Sequence, residues 1–301
     1  MSDPLRVVVV GSGGRLGAAV ARKLRETPDR FRVVAYDHKS MDLLRPPLIE
    51  DHLRAIHFDA LINCAAMTSL ESCEDRQEEA SAVNVAAPRQ MAEICDQVGA
   101  RMIQISTDYV YDGTKPGQRL ESDPVAPLSH YAATKLAADL AVLEVNDRFL
   151  AARTSWVFGP NRPSFVDQIL HQAAENDSVE AIGDKFSTPS FSHDIASWLA
   201  IILQKPDVSG VLNLCNQGEA TWCNYAQEAL DIAMELGWEL KARVVTPTKL
   251  DDIKQFRAPR PRFTSMNTNL LESVIGGQIR SWRDALREYL QTYYVSFSPV
   301  K

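Results

Sequence analysis

Cysteine is scarce in this chain. There are five in 301 residues (Cys64, Cys73, Cys95, Cys215 and Cys223), an odd number with no C-x-x-C pair. That argues against a disulfide framework and against zinc ligation, and it fits reduced thiols in a cytoplasmic protein. Long hydrophobic runs are also lacking: nothing approaches the ~20 apolar residues of a membrane span. The opening MSDPLRVVVVGSGG has an apolar run of only Val7–Val10 before its glycines, which is not the pattern of a signal peptide. Positive charge is in deficit, with a net charge of −7. That gives no support to nucleic-acid binding or to an anionic membrane surface. There is no internal repeat and no low-complexity tract. With 45% apolar and 24% charged residues, the composition is that of a globular protein, long enough for one large domain or two small ones.

What is present is an alternation of strands and helices. Leu5–Val10, Phe31–Tyr36, Ala60–Asn63, Met102–Ser106 and Phe149–Arg153 read as short buried strands. Helix candidates lie between them at Ala18–Leu24, Ile49–Ile56, Glu78–Val98 and Ser129–Glu144. This predicts an α/β fold, a Rossmann-type doubly wound parallel sheet with helices on both faces. The second half is less regular. Helices are expected at Phe165–Ala174, at Ser192–Leu203 with Ser192 as N-cap, at Thr221–Leu236 capped by Thr221, and from the capping pattern at Ser281 to about Leu290. Strands are expected at Val179–Ile182 and Val211–Leu214, and an irregular proline- and arginine-rich stretch over Thr246–Thr264. The expected division is a dinucleotide-binding domain over 1–160, completed by parts of 190–225, and a smaller mixed α/β substrate domain over 161–301. The tail Tyr294–Lys301 should fray or lie on the surface.

Ligands of such sheets bind beyond the carboxyl ends of the strands. The first of those ends carries Gly11-Ser12-Gly13-Gly14-Arg15-Leu16-Gly17. Gly11, Gly14 and Gly17 are best spaced to let a backbone approach a pyrophosphate, which would rest on a helix N-terminus. Asp37 ends the second strand. A carboxylate there accepts a ribose 2′-OH and repels a 2′-phosphate, which favours NAD; His38 and Lys39 beside it offset such a charge, so NADP stays open. Asp42 and Leu43 either border the adenine or form a solvated turn. Cys64 reads as a small buried hydrophobe, Glu71 and Glu74 as a solvated helix start, and His193 as a structural residue in a helix's first turn.

The fourth strand ends at Ser106-Thr107-Asp108-Tyr109, and Tyr131 and Lys135 follow. Residues four apart on a helix share a face. A phenol has a pKa of about 10, and a nearby ammonium draws it toward a useful range. With Thr107 to hydrogen-bond a substrate oxygen, this set can protonate a carbonyl oxygen while a nicotinamide delivers hydride to its carbon. Asp108 either orients the strand-end loop or caps a turn. Trp156 either stacks on a sugar ring or belongs to the core. Arg257, Arg260 and Arg262 either form a solvated loop or supply a bidentate contact to a nucleotide diphosphate, with Arg260 the first choice.

Gly11–Gly17 together with Tyr131-x-x-x-Lys135 resembles the extended short-chain dehydrogenase/reductase superfamily. Ser-Thr-Asp-Tyr-Val-Tyr-Asp-Gly (106–113), Arg-Thr-Ser-Trp-Val-Phe-Gly (153–159), Arg260-Pro261, Ala65-Ala66-x-Thr68 and Val83-Asn84 look like the dTDP-4-dehydrorhamnose reductases. The resemblance implies NAD(P)H-dependent reduction of the 4-keto group of a nucleotide-linked deoxysugar. Tyr131 would donate the proton. Lys135 would bind the nicotinamide ribose and lower the tyrosine's pKa, and Thr107 would hold the keto oxygen. Ala65, Ala66, Thr68 and Asn84 would line the cofactor, with Ser106 supporting the strand end, and Tyr109 and Trp156 would face the sugar. A homodimer is one expected assembly.

The chain departs from that pattern in two places. Where the family often has Asp-Gln-x-Gly-x-Pro-Thr, it has Asp184-Lys185-Phe186-Ser187-Thr188-Pro189-Ser190. Where some members carry a glutamate linked to Mg²⁺, it has Ala18-Ala19, so no metal is expected. The same Tyr/Lys pair also serves nucleotide-sugar epimerases and reductases of other keto sugars. It can persist in non-catalytic regulators such as the beta subunit of methionine adenosyltransferase.

Overall fold

The computed structural model describes residues Asp3–Tyr293. Five strands alternate with helices in the first half: β1 (Leu5–Val10), β2 (Phe31–Tyr36), β3 (Ala60–Asn63), β4 (Arg101–Thr107) and β5 (Leu150–Thr154). Gly210–Leu214 adds a sixth. All pair in parallel, in the order Gly210–Leu214, β5, β4, β3, β1, β2. This is the α/β Rossmann-type sheet. The strand order reverses beside β1, where the chain goes out to β2 and returns on the other side as β3. That leaves a crevice past the carboxyl ends.

The four valines of β1 show why its run is continuous rather than alternating. Val7 and Val9 enter a core with helices Arg15–Arg25 and Ser192–Ile202; Val8 and Val10 enter a second core with helices Pro46–Arg54 and Ala87–Val98. Successive side chains leave a strand on opposite faces, and here both faces are covered.

Three expected elements come out differently. The long helix over Glu78–Val98 is three pieces: Gln77–Ser81, a π-turn Ala82–Ala86, and Ala87–Val98. Pro88 explains the break. It has no N–H for the carbonyl of Asn84, and its ring would clash with that carbonyl, so the helix widens there. Ser192 is the first residue of its helix, not the cap; Phe191 takes the N-cap position, and the Ser192 hydroxyl has no partner among the described residues. The stretch taken as irregular opens with a strand, Val245–Thr248, parallel to Val179–Ile182 with Pro247 opposite Ala181. A two-stranded pair has only edges, which is where a proline is tolerated.

The second half builds a third core around Trp282, Tyr225, Phe158, Phe191 and Tyr289. Helix Trp222–Glu235 starts at a capping box of Thr221 and Asn224, and helix Trp282–Thr292 starts at Ser281, whose side chain accepts from Asp284 N–H. No helix among the described residues is long and apolar enough to cross a membrane. The expectation for Tyr294–Lys301 lies outside the described residues.

Candidate active site

A cleft of about 780 Å³ opens over the carboxyl ends of β1, β2, β3 and β4. Its floor is the glycine loop. Gly11 has φ +83°, and a Cβ there would lie 2.6 Å from the Ala65 backbone nitrogen; a Cβ on Gly17 would overlap the Gly11 carbonyl oxygen. Neither position admits a side chain. Gly14 caps helix Arg15–Arg25 without any side-chain hydrogen bond, and no acidic residue lies in the first turn. The first N–H groups of this helix therefore have no side-chain cap at the cleft, as a pyrophosphate site requires. Leu16 also lines the cleft. Arg15 does too, but its guanidinium is tied to carbonyls of the 157–163 loop: Val157 at 2.9 Å, Arg162 at 3.1 Å and Pro163 at 2.7 Å. It clamps the glycine loop to that segment.

Asp37, Asp42 and Leu43 lie along the next wall. One oxygen of Asp37 accepts from Lys39 N–H, Ser40 N–H and the Ser40 hydroxyl at 2.8–3.1 Å, and these bonds hold its carboxyl below the ordinary carboxylate range. His38 lines the cleft beside it. Asp42 turns its own loop by accepting Leu44 N–H at 3.1 Å, and Leu43 is 6% exposed, so it belongs to the core as much as to the cleft. Ala65, Ala66 and Thr68 follow β3 into the wall.

Asn84 is elsewhere. It is fully buried behind that segment. Its amide oxygen accepts Met67 N–H at 2.8 Å, and its amide nitrogen donates to the Met67 carbonyl at 3.0 Å and to Thr134 Oγ1 at 3.0 Å. The π-turn turns this amide toward the loop.

The reactive groups meet past β4. Thr107 and Tyr131 face each other; burial pushes the Tyr131 phenol up most strongly, and the contact with Thr107 opposes that rise. Lys135 is 3% exposed and donates to the Ile105 carbonyl at 2.6 Å. Burial lowers it to about 8, against the opposing pull of Asp139 and then Cys64. Cys64 is half-buried at the cleft, and desolvation pushes its thiol up to about 12, which disfavours the thiolate at neutral pH. Ser106 lines the cleft, and its hydroxyl is near Asp139, whose charged form it favours. Asp108 is buried, its carboxylate accepting from Ser155 Oγ at 2.9 Å and from Thr107 Oγ1 at 3.2 Å.

The far wall comes from the second half. Trp156 lines the cleft with its backbone in the left-handed region at φ +42°, and its ring packs on Phe165, Trp222 and Tyr225 at 4.8–5.4 Å. It serves core and cleft at once. Trp222 and Ser187 line the same end; Ser187 belongs to the 184–190 segment where the chain departs from the family pattern, and Trp222 has no sequence signal linking it to the site. Lys185 is fully buried, with Nζ 4.7 Å from the centre of the Tyr109 ring and 3.2 Å from Ser187 Oγ. Tyr109 lines the cleft, 6.4 Å from the Tyr131 ring centre.

Arg260 does not itself line the cleft, though its charge reaches Tyr109, which does. Its guanidinium pairs with Glu71 at 2.9 Å, donates to the Ala258 carbonyl at 2.8 Å and covers the Phe256 ring. Glu71 and Glu74 are accordingly not a solvated helix start: Glu71 also accepts Arg257 and Ala258 N–H, and Glu74 accepts His130 N–H at 2.8 Å. His193 sits among Phe191 and Tyr293, and burial lowers it to about 4.

The chain matches the RmlD substrate binding domain family over residues 5–295. It is 31% identical over 290 residues to the dTDP-4-dehydrorhamnose reductase of Streptomyces griseus, covering 94% of this chain and 92% of that one. It is 29% identical to the probable dTDP-4,6-dihydroxy-2-methyloxan-3-one 4-ketoreductase of Streptomyces antibioticus, covering 94% of each. Among solved structures, the Bacillus anthracis dTDP-4-dehydrorhamnose reductase in complex with NADP superposes with a TM-score of 0.87 at 24% identity, covering 96% of this chain and 99% of that one. With the parallel sheet and the glycine-floored cleft already in place, the extent of these matches settles the family: the chain belongs to the RmlD substrate-binding-domain family of reductase-like proteins.

Proposed function

We propose that this protein is an NAD(P)H-dependent reductase of the 4-keto group of a nucleotide-linked deoxysugar. The observation that carries this reading is the convergence of Thr107, Tyr131 and Lys135 at one end of the glycine-floored cleft. The uncapped helix N-terminus and the Gly11 and Gly17 positions fit a dinucleotide, held by Gly14, Arg15, Leu16, Ala65, Ala66 and Thr68, with Asp37 at the adenosine ribose. NADP or NAD is the cofactor, and Asp37 leans the choice to NAD. When bound, NAD(P)H supplies the hydride for C4 of the sugar. Tyr131 gives its proton to the C4 oxygen, so the ketone becomes an alcohol, while Thr107 holds that oxygen and Lys135 the nicotinamide ribose. Tyr109, Trp156, Trp222 and Ser187 enclose the sugar end. The reading takes the chain as two domains, 1–160 with parts of 190–225 and the remainder of 161–301, and as a cytoplasmic homodimer.

Consumption of NADPH and of NADH with dTDP-4-dehydro-L-rhamnose tests it. Turnover with either cofactor is expected, and none with both, in folded protein, would overturn it. Lys185, fully buried beside Tyr109 where the family often has glutamine, favours one variation, a reductase of another keto sugar. Matched UDP-, GDP- and dTDP-linked substrates separate the two.

A further inference from the structure

Behind Lys135 lies a second charged group that the reaction, as described, does not use. Helix His130–Val145 carries Lys135 and Asp139 four residues apart, on one face against β4, and both are sealed from solvent at 3% and 1% exposure. Asp139 Oδ2 accepts from Arg153 Nε at 3.4 Å, with both side chains at most 5% exposed. Arg153 stands in register with Ser106 across β4 and β5, and its guanidinium lies 4.9 Å from the centre of the Tyr111 ring. The Tyr111 hydroxyl in turn donates to Asn213 Oδ1 at 2.9 Å. An ion pair this deep gains little stability, because the desolvation of both ions offsets their attraction. It is also incompletely bonded: Arg153 Nη1 has no hydrogen-bond partner among the described residues, and the Ser106 hydroxyl is close enough to Asp139 to favour its charged form.

Resting on the reductase reading, we propose that Asp139 is a positioning residue for the reaction: held by Arg153, its carboxylate is the buried counter-charge that keeps the Lys135 ammonium charged beneath Tyr131. The groups facing Lys135 are few. Asp139 and Tyr131 come from its own helix, Cys64 from the end of β3 and the Ile105 carbonyl from β4; Asp108 past β4 faces Tyr131, and Arg153 of β5 stands behind Asp139. Only Asp139 combines a negative charge with a place on the Lys135 face of the helix. Burial opposes the ammonium, and Asp139 is the foremost influence in its favour. Arg153 has the complementary task of keeping Asp139 ionised in a site whose burial favours the neutral acid.

The test follows the titration of Lys135 itself, in protein labelled with ¹³C at the lysine Cε, the signal being assigned by its loss in Lys135→Met. In Asp139→Asn the midpoint is expected to fall by about one pH unit relative to the unsubstituted protein, and Asp139→Glu should restore it. The alkaline limb of kcat for keto-sugar reduction should move down with the midpoint, so that D139N loses activity at high pH and recovers it at lower pH. A merely structural lesion would lose activity at every pH. If D139N leaves Arg153 uncompensated and does not fold, the unsubstituted protein is compared instead with R153M/D139N, where both charges are gone, and the Lys135 midpoint should again fall. A Lys135 midpoint unchanged from that of the unsubstituted protein, in D139N or in R153M/D139N, overturns the proposal. Absence of turnover in the unsubstituted protein would remove the reductase reading, while the Lys135 titration still decides on Asp139.

Discussion

Asn84 brackets Met67: its side-chain amide accepts the Met67 N–H at 2.8 Å and returns a bond to the Met67 carbonyl at 3.0 Å. One buried side chain thereby bonds both backbone groups of Met67, as a strand partner would. The Ala65–Thr68 wall of the cleft is held from behind, and in the proposed reading Asn84 would act on a cofactor through that loop. In Asn84→Ala, the Met67 N–H loses its partner and the Met67 carbonyl keeps only the Cys73 thiol at 3.4 Å; a polar group left unpaired away from water costs about 1–3 kcal/mol. A lower thermal midpoint and weaker NADPH binding, read by fluorescence titration, are expected together. Unchanged NADPH affinity would remove the loop-holding role.

Tyr131→Phe removes the proposed proton donor and little else, since the ring stays in place. The expected loss in kcat is roughly 10²–10⁴-fold, with NADPH binding retained. Full activity in Y131F would rule out the phenol as the acid.

Gly17→Ala puts a methyl group against the Gly11 carbonyl oxygen. The backbone of the turn must shift to accept it, and the pyrophosphate cradle shifts with it. The circular dichroism spectrum should be retained while NADPH affinity falls. An alanine variant binding as tightly as the parent would show that the turn has room to spare.

His193 provides a pH test away from the cleft. Its folded-state pKa is lowered to about 4 from 6.5, by burial first and by Arg22 second. The unfolded chain therefore binds the proton more readily between those values. The stability gained by keeping His193 neutral is present above about pH 6.5 and is lost as pH falls through about 4. Thermal midpoints measured across that window should drop more steeply for the parent than for His193→Phe. Parallel curves would contradict the assignment.

The sheet and the floor of the cleft were legible in the sequence because their signals are local. The run Val7–Val10 announces a strand buried on both faces, Gly11 and Gly17 are required by backbone geometry, and Tyr131 and Lys135 share a face through the helical repeat alone. The misreadings share a different cause. Asn84 carries a motif position, but the widening that turns it inward depends on Pro88 meeting the carbonyl of residue 84. Arg260 and Glu71 each read as solvated or ligand-facing until 189 residues of chain separation close to 2.9 Å.

The sequence by itself determined the parallel sheet, the glycine cradle and the Thr107, Tyr131 and Lys135 set, because strand period, helix period and turn chemistry act over a few residues. Only the tertiary structure decided which charges face one another. It put Asp139 and Arg153 behind Lys135, Lys185 against Tyr109, and Glu71 on Arg260. Whether a buried ion meets a partner is fixed by packing between distant elements, and no local pattern in the chain encodes it.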